Sequence, residues 1–433
     1  MKLFEWTLRL NGFDIAFAKA ELKRIQSNNN QYYVESAKID IVNHHKKFNS
    51  FYQNFAGTNS TWDWESLPIM TKTSLQQPLE TRLSNDFQKD VYKGKTSGSS
   101  GHPFIYAKDK HCHALSWASF FDKYQWYDID LNHSKQARFY GTPLNPLNYY
   151  KEKLKDKLAN RYRFPIFNLN DETLAQIAHT FKNVDFEYIN GYTSSIVLFA
   201  KYLKKQRLIL KDICPSLKAC IVTSEMLFES DRELLNTQFN VTIINEYGAS
   251  EVGLIAFENE NGDFQVDDEL LYIEILDEND NILPDGELGR IVITSLYNKA
   301  HPFIRYEIGD MGALKHEKNT DKTILSNLQG RTNDIAILPS GKVVPGLTFY
   351  YVTKTIIEES GNVSEFIIKQ IYPDTFKFIY TSQRPLSTVE KQAVKDATYK
   401  YLEKGLNIIF ERVPNMNRGK GSKLKQFTAL ATG

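Results

Sequence analysis

Helical and strand-like patterns alternate in the middle of the chain, from about residue 105 to residue 300. The stretch NDETLAQIAHTF follows an N-cap at Asn170 and places apolar residues at helical spacing on Leu174, Ile177, Ala178 and Phe181. KACIVTSE and VTIINEYGASE each begin with an apolar run and end in polar residues, which predicts buried strands followed by polar turns. Because strands that alternate with helices predict a largely parallel sheet, we expect ligand-binding groups in both turns.

The two ends of the chain have different patterns. Residues 1–90 mix short amphipathic stretches with polar joints, which predicts a helical N-terminal region. After about residue 332 the predicted order is a helix over 346–359, strands at SEFIIKQI and TFKFIYTS, a helix from Ser387 to about residue 404, and a strand at NIIFERV. This order predicts a small α+β domain over 333–433, preceded by a large N-terminal α/β domain over 1–332.

Length and charge narrow the class of protein. A chain of 433 residues exceeds what one hydrophobic core usually serves, so two or more domains are expected. Lys and Arg number 53 against 52 Asp and Glu, so no net charge attracts nucleic acid or an anionic membrane. We therefore expect neither as a partner, and any anion site must be local.

Cysteine usage and the N-terminal stretch predict a cytoplasmic protein. The three cysteines are odd in number and form no CxxC pair, which argues against a disulfide framework. Charges at Lys2, Glu5 and Arg9 leave no apolar core for a signal peptide, and no later run approaches 18 apolar residues.

The stretch KTSGSSGHPF, residues 95–104, is rich in glycine and hydroxyl groups. Gly94, Lys95 and Thr96 have the ending of a Walker A loop, but Lys89 occupies the position of its first glycine. A serine hydrolase elbow is excluded because only two residues separate Gly98 from Gly101. Two interpretations remain open from these residues alone, a flexible linker and a loop that wraps phosphates with backbone N–H and serine O–H donors.

Further motifs follow this loop in a fixed order. They are NEYGASE at 245–251, RYEIGD at 305–310, GRTND at 330–334 and RGKGSKLK at 418–425. Together with TSGSSGHP at 96–103, they resemble the ordered core motifs of the adenylate-forming superfamily, with the phenylacetate-CoA ligase branch and its CapK-like relatives as the best match. The resemblance covers roughly residues 60–430, and it implies a large N-terminal domain with mixed sheets and a small mobile C-terminal domain.

The resemblance implies a nucleotide site. The loop would hold the ATP phosphates, Tyr247 would lie against adenine, and Asp310 would accept the ribose hydroxyls. Glu251 matches the carboxylate that holds Mg²⁺, a cation that prefers oxygen ligands. The full set of implied nucleotide-binding residues is Thr96, Ser97, Gly98, Ser99, Ser100, Gly101, Ser224, Glu225, Glu246, Tyr247, Gly248, Ser250, Asp310 and Arg331.

The C-terminal motif offers two candidates for the family's catalytic lysine. Lys420 follows a glycine directly, whereas the surrounding phrase GSKLKQF favours Lys423, and both stay candidates. Preorganised charge of this kind contributes a factor on the order of 10² to 10³ in rate. Asn333 stands where most relatives carry the hinge aspartate, so the sequence departs from the family there.

The resemblance also implies the reaction. ATP would activate an aromatic or other small carboxylic acid to an acyl-adenylate, and coenzyme A would then accept the acyl group as a thioester. Tyr140, Gly141 and Tyr192 are the implied walls of the acyl pocket. The expected cofactors and substrates are thus ATP, Mg²⁺ and coenzyme A, and the residues leave open whether the enzyme is a homodimer.

Other functions remain open at this point. CapK-like relatives are associated with surface-polysaccharide and secondary-metabolite pathways, so the acceptor could instead be an amine, a sugar-linked hydroxyl or a carrier-protein thiol. Another branch transfers AMP itself to a small molecule. From a different class, the chain could be a nucleotide-binding regulatory protein without catalysis.

Overall fold

The computed structural model describes most of the chain in two compact units. The described residues are 3–28, 31–58, 62–95, 104–140, 146–164, 166, 169–317, 322–329, 335–345, 349, 352, 362–414, 416 and 427–428. One unit comprises residues 1–308 and 312–327, and the other comprises 309–311 and 328–433. The predicted boundary after residue 332 lies among residues 330–334, outside the described residues, and stays a prediction.

The described helices lie mostly in the first unit. They are α1 (Leu3–Leu10), α2 (Ile15–Asn28), α3 (Gln31–Phe48), α4 (Ser50–Ala56), α5 (Leu79–Arg82), α6 (Lys110–Gln125), α7 (Pro146–Leu158), α8 (Asp171–Asn183), α9 (Thr193–Gln206), α10 (Leu210–Ile213), α11 (Glu229–Phe239) and, in the second unit, α12 (Thr388–Tyr401). Residues 1–90 therefore contain the helices that their amphipathic stretches predict. No helix of the described part of the chain is both long enough and apolar enough to cross a membrane.

The strands form one large sheet and three smaller ones. They are β1 (Tyr92–Lys95), β2 (Ile105–Lys108), β3 (Gln136–Phe139), β4 (Arg161–Arg163), β5 (Tyr188–Tyr192), β6 (Ala219–Thr223), β7 (Thr242–Ala249), β8 (Gly253–Glu258), β9 (Phe264–Val266), β10 (Leu271–Leu276), β11 (Gly289–Ser295), β12 (Tyr306–Glu317), β13 (Lys322–Gln329), β14 (Ile335–Ile337), β15 (Val343–Pro345), β16 (Val363–Tyr372), β17 (Thr375–Ser382), β18 (Asn407–Arg412) and β19 (Phe427–Thr428). Eleven strands make the large sheet, in the order β10-β11-β12-β13-β9-β8-β7-β6-β5-β3-β4.

One half of the large sheet is parallel, as the alternating helices and strands predict. Strands β4, β3, β5, β6 and β7 pair in parallel. Helix α8 begins where expected, because the Asn170 side chain accepts a hydrogen bond from Thr173 N at 2.9 Å. Its predicted apolar face, including Leu174 and Phe181, is buried against this half of the sheet.

The other half of the sheet is antiparallel, which corrects the expectation of a largely parallel sheet. β7 pairs antiparallel with β8, and β8 pairs antiparallel with β9. The prediction of a polar turn at NEYGASE was also wrong in its position, since β7 continues through Tyr247 to Ala249 and the turn follows it. β8 supplies a second hydrogen-bonding partner, so the strand extends beyond its apolar run.

A two-stranded hairpin brackets the glycine-rich loop. β1 and β2 pair antiparallel, and Lys95 lies opposite Ile105 at the end of the ladder. The loop therefore begins and ends at neighbouring backbone positions, although residues 96–103 themselves lie outside the described residues.

The second unit has an α+β core of its own. β16 pairs antiparallel with β17, and β17 pairs parallel with β18. Ser387 caps α12 in a capping box with Glu390, and Val394 faces the core formed by the sheet. The predicted strands and the last helix are confirmed, whereas most of the helix predicted over 346–359 lies outside the described residues.

Candidate functional site

Polar side chains form a row at the carboxyl edge of the parallel strands. Thr223 of β6 lies opposite Tyr192 of β5 on one side and opposite Glu246 of β7 on the other. Tyr140 directly follows β3, and its ring centroid lies 4.9 Å from that of Tyr192. Because parallel strands end at the same edge, four side chains that are distant in sequence become neighbours, where α/β folds place ligands.

The turn after β6 is held in an unusual conformation. Ser224 has a φ of 71°, in the left-handed region that non-glycine residues rarely adopt. One Glu225 carboxylate oxygen accepts a hydrogen bond from Ser194 N at 2.7 Å, and the Thr193 hydroxyl donates to the Glu225 carbonyl oxygen at 3.1 Å. The turn is therefore tied to the first residues of α9, and Ser224 is exposed beside the row.

Glu246 is a buried carboxyl group at the centre of this row. Its side chain accepts a hydrogen bond from the Tyr124 hydroxyl of α6 at 2.8 Å, and the residue is 8% exposed. Burial raises the pKa of Glu246, while hydrogen bonds from Tyr124 and Thr223 and the charge of Arg138 oppose this rise. α6 thus anchors the polar row from the face of the sheet that it covers.

The end of β7 is shaped by a bulge. The ladder with β8 shifts register between Tyr247 and Gly248. A Cβ atom at Gly248 would lie 2.8 Å from the carbonyl oxygen of Gly253, so the close approach of the two strands requires glycine there. Tyr247 is half-buried, and Ser250 is exposed in the turn that follows. Both side chains are therefore at least partly exposed at the sheet edge.

Glu251 follows Ser250 in this turn and is 6% exposed. Its Oε1 accepts a hydrogen bond from the Tyr306 hydroxyl at 3.2 Å. Lys108 of β2 is buried in the same region, where burial lowers the pKa of its ammonium and the charges of Cys112, Glu251 and Asp109 oppose that shift. A negative charge on Glu251 therefore raises the pKa of Lys108, a residue of the hairpin that brackets the glycine-rich loop.

The donor set suits a magnesium ion held mainly by a substrate. Within the described ranges, no group of three or more His, Cys, Asp or Glu side chains could hold a metal ion. Mg²⁺ commonly binds through one or two carboxylates together with substrate phosphates, and the single carboxylate of Glu251 fits that mode.

The contacts of Arg305, in the RYEIGD motif, indicate a structural role. It is 1% exposed and pairs with Glu274 at 3.2 Å. Its guanidinium also donates to the carbonyl oxygens of Glu65 and Leu67 at 2.8 and 2.9 Å. Arg305 therefore anchors the segment that contains Glu65 and Leu67 beside β12, on which Asp310 is half-buried.

Several predicted site residues lie outside the described part of the chain. These residues are Thr96, Ser97, Gly98, Ser99, Ser100, Gly101, Gly141, Arg331, Asn333, Lys420 and Lys423. The residues brought together in the first unit are Tyr140, Tyr192, Ser224, Glu225, Glu246, Tyr247, Gly248, Ser250 and Glu251. Their roles in binding stay predictions.

Three residues near the site were not predicted from the sequence. Tyr124 binds Glu246, Lys108 lies near Glu251, and Arg138 lies 4.3 Å from the centroid of the Tyr140 ring. Alternation along QARFY could have signalled Arg138, since it shares a strand face with Tyr140. The contacts of Tyr124 and Lys108 depend on packing between distant elements.

The chain is similar in sequence to CapK and to phenylacetate-coenzyme A ligases, and similar in fold to CoA ligases. No family model matches the chain. Protein CapK of Staphylococcus aureus is 23% identical over 333 residues, which cover 72% of this chain and 71% of CapK. Phenylacetate-coenzyme A ligase of Pseudomonas putida is 29% identical over 120 residues, and this match spans only 27% of that protein.

Solved structures give the same result for the fold. A 2-hydroxyisobutyryl-CoA ligase in the postadenylation state superposes with a TM-score of 0.70 at 15% identity, covering 93% of this chain and 90% of that one. An anthranilate CoA ligase in complex with anthranoyl-AMP has a TM-score of 0.55 at 16% identity, covering 78% and 66%. The chain has the fold of the adenylate-forming enzymes, and CapK and the phenylacetate-CoA ligases are among its homologues.

Proposed function

We propose that this protein uses ATP to activate a small carboxylic acid as an acyl-adenylate and then transfers the acyl group to coenzyme A. The observation that carries the proposal is the row of Tyr192, Thr223 and Glu246 at the carboxyl edge of the sheet. This row stands directly before the Ser224 turn and the bulge at Tyr247. The sequence match to phenylacetate-CoA ligases and the fold of CoA ligases support the same reaction.

The nucleotide would occupy the turns beyond β6 and β7. Tyr247 offers a half-buried ring for adenine, Ser250 a hydroxyl for the α-phosphate, and Asp310 a carboxylate for the ribose hydroxyls. We assign phosphate binding to the loop over 96–101, whose flanking strands pair beside Glu251, and a further ribose or phosphate contact to Arg331. Glu225, by holding the Ser224 turn against α9, would position this pocket.

Glu251 would hold Mg²⁺ together with the phosphates of ATP. The ion supplies charge neutralisation for the triphosphate when it is bound. The hydrogen bond from Tyr306 keeps the Glu251 side chain oriented while the residue stays nearly inaccessible to water. A fixed, desolvated carboxylate binds a hard cation more strongly than a mobile exposed one does.

The reaction would depend on placement and charge more than on acid–base chemistry. The acid's carboxylate attacks the α-phosphorus, the bond to the pyrophosphate oxygen breaks, and pyrophosphate leaves. We assign Lys423, with Lys420 as the alternative, to the cation that meets the developing charge, and Asn333 to the hinge of the second domain. Coenzyme A thiol then attacks the acyl carbonyl, and AMP leaves.

Acid-dependent exchange of labelled pyrophosphate into ATP tests the first half-reaction. We expect exchange with at least one member of a panel of aliphatic and aromatic acids, and thioester formation with release of AMP when coenzyme A is added. ATP binding without exchange for any acid would contradict the proposal and favour a regulatory protein. Exchange without thioester formation would indicate that the acceptor is an amine, a hydroxyl or a carrier-protein thiol instead of coenzyme A.

The two lysine candidates can be separated in the same assay. Lys423→Ala should lower the exchange rate by a factor on the order of 10² to 10³, while Lys420→Ala, the matched control, stays within a few-fold of the wild type. The reverse result would assign the role to Lys420. Equal, mild losses in both variants would contradict a catalytic lysine in this motif.

A further inference from the structure

Two arginines lie on the sheet face that carries the candidate acyl pocket. Arg138 of β3 alternates with Ala137 and Phe139, which face the opposite core, and therefore shares a face with Tyr140. Arg161 of β4 lies opposite Gln136, which puts it on that face as well, as a diagonal neighbour of Arg138. Both arginines thus lie on the same sheet face as the polar row, farther from the carboxyl edge of the strands.

Neither arginine has a carboxylate partner among the described residues. No Asp or Glu oxygen lies within 4.0 Å of either guanidinium, and the Nε atoms of both are buried without a hydrogen-bond acceptor. Arg138 Nη1 donates a hydrogen bond to Gln136 Oε1 at 3.5 Å. Aromatic rings lie beside both guanidinium groups: Arg138 lies 4.3 Å from the Tyr140 ring centroid and Arg161 lies 4.7 Å from that of Phe4. The undescribed stretch that follows, residues 141–145, contains no Asp or Glu.

The adjacent arginine shows that carboxylates are available here but are already engaged. Arg163 lies on the same strand face as Arg161, and it binds both oxygens of Asp156 at 2.7 and 3.1 Å and Glu152 at 3.2 Å. Glu246 is bound by the Tyr124 hydroxyl, and burial raises the pKa of its carboxyl group. The charges of Glu246 and Glu152 interact with Arg138 and that of Asp156 with Arg161, but among the described residues none of these carboxylates lies within 4.0 Å of either guanidinium.

Such an arrangement is costly unless an anion joins it. Burial lowers the pKa of Arg161 to about 10, and the charge of Arg138 contributes to this shift. Both residues are half-buried, and an Nε–H group that is buried without an acceptor loses hydration that aromatic rings replace only in part. Two such groups side by side offer N–H donors to a planar anion, and Arg binds carboxylates through two parallel hydrogen bonds.

We propose that Arg138 and Arg161 bind a second anionic group of the acyl substrate, so that the acid activated here is a dicarboxylic acid. This inference rests on the proposed function, because it requires that the acid enters beside Tyr140 and Tyr192. Arg138 precedes Tyr140 by two residues, about 7 Å along the strand. One carboxylate would then react at the sheet edge while the other lies deeper, between the two guanidinium groups.

Pyrophosphate exchange with matched acid pairs tests the proposal. Each pair consists of a monocarboxylic acid and its analogue with a second, terminal carboxylate, in aliphatic and aromatic series of increasing length. We expect kcat/KM for the preferred dicarboxylic acid to exceed that of its partner by tenfold or more. A wild-type preference for the monocarboxylic acids in every pair would overturn the inference and leave the proposed function standing. Preference for a terminal sulfonate or phosphonate over the carboxylate would overturn the dicarboxylic assignment.

Variants assign the effect to these residues. Arg138→Met and Arg161→Met keep much of the apolar stem and should each lower kcat/KM for the dicarboxylic acid by tenfold or more, with little change for the monocarboxylic acid. Arg138→Lys should retain part of the preference. Lys157→Met removes the same unit of charge from the exposed face of α7 and should change neither value. Equal losses for both acids in the Met variants would contradict anion binding.

A binding measurement separates failure of the inference from failure of the proposed function. Without ATP, the dicarboxylic acid should raise the melting temperature of the wild type and not that of Arg161→Met. If no acid supports exchange but this shift is seen, the proposed reaction fails and the anion site stands. If neither exchange nor a shift is seen, both fail.

Discussion

Two groups of charges lie beside α6, one buried and one half-buried, and their surroundings differ. Lys123 is 1% exposed, and its ammonium lies 3.3 Å from Glu269, 3.9 Å from Asp267 and 3.8 Å from Asp122. The next residue of α6, Tyr124, reaches the sheet face that carries Arg138 and Arg161. Carboxylates lie within 4.0 Å of the cation in the first cluster, whereas among the described residues none lies that close to Arg138 or Arg161, the two cations of the second.

The difference separates a structural cluster from a candidate binding surface. A buried charge surrounded by fixed partners contributes to stability only while every partner stays in place. A buried charge without a partner lowers stability, and protein sites keep such groups where a ligand supplies the missing charge. We therefore expect mutations of the first cluster to change folding and mutations of the second to change binding.

The largest effect should come from removing the central cation of the first cluster. Lys123→Met removes the buried ammonium and leaves the Glu269 carboxylate with only the partly exposed Lys322, so it should lower the free energy of unfolding by about 3–5 kcal/mol. Urea denaturation measures this loss. Lys322→Met is the matched control: Lys322 also pairs with Glu269, at 3.3 Å, but is one-third exposed, so about 1 kcal/mol or less is expected. Equal losses would contradict a special role for Lys123.

A smaller effect should appear as a pH dependence of stability. Burial raises the pKa of Asp267 to about 8, with the charge of Glu269 adding to the rise and that of Lys123 opposing it. The folded protein therefore keeps a proton that the unfolded chain releases near pH 4, so the free energy of unfolding falls as pH rises from about 5 to 8. The slope from this group is at most about 1.4 kcal/mol per pH unit.

Asp267→Asn provides the comparison for that slope. Its free energy of unfolding should depend less on pH than that of the wild type between pH 5 and pH 8, as measured by urea denaturation at each pH. The pKa of Glu269 is held low mainly by Lys123 against the effect of burial, so Glu269 contributes only at lower pH. A wild-type stability that rises relative to the variant over this range would contradict a protonated Asp267.

The smallest effect on stability should come from the second group. Arg161→Met removes a buried charge without leaving a carboxylate unpaired, so we expect a change in the free energy of unfolding within about 1 kcal/mol, in either direction. The Met side chain can still contact Phe4. A loss as large as that of Lys123→Met would break the comparison, because it would make Arg161 a structural cation as well.

Periodicity in the sequence predicted those helices and strands whose determining residues lie close together in the chain. α8 follows from its apolar spacing and its cap, and β6 from a short apolar run, because these signals lie within a few residues of each other. The end of β7 could not be predicted in this way. Its extension through Tyr247 depends on β8, whose pairing involves a bulge that nothing in NEYGASE specifies.

The candidate site was only partly predictable for a related reason. Motifs identified Glu246, Tyr247 and Glu251, since their residue types and order resemble a known family. The partners of these residues come from distant stretches: Tyr124 reaches Glu246 from α6, and Tyr306 reaches Glu251 from β12. That no described carboxylate lies within 4.0 Å of Arg138 is a property of the packed sheet face, so it has no signature in one strand.

The strand order of the large sheet has a consequence for how the protein folds during synthesis. Its parallel half uses residues 136–249, and its antiparallel half uses residues 253–329, so the two halves leave the ribosome one after the other. The five parallel strands can pair with one another while the next stretch is still being made. We expect the edge of β7 to be exposed as a template at that stage, until β8 emerges and covers it, and a pause in translation after residue 249 would prolong the interval in which another chain could pair there.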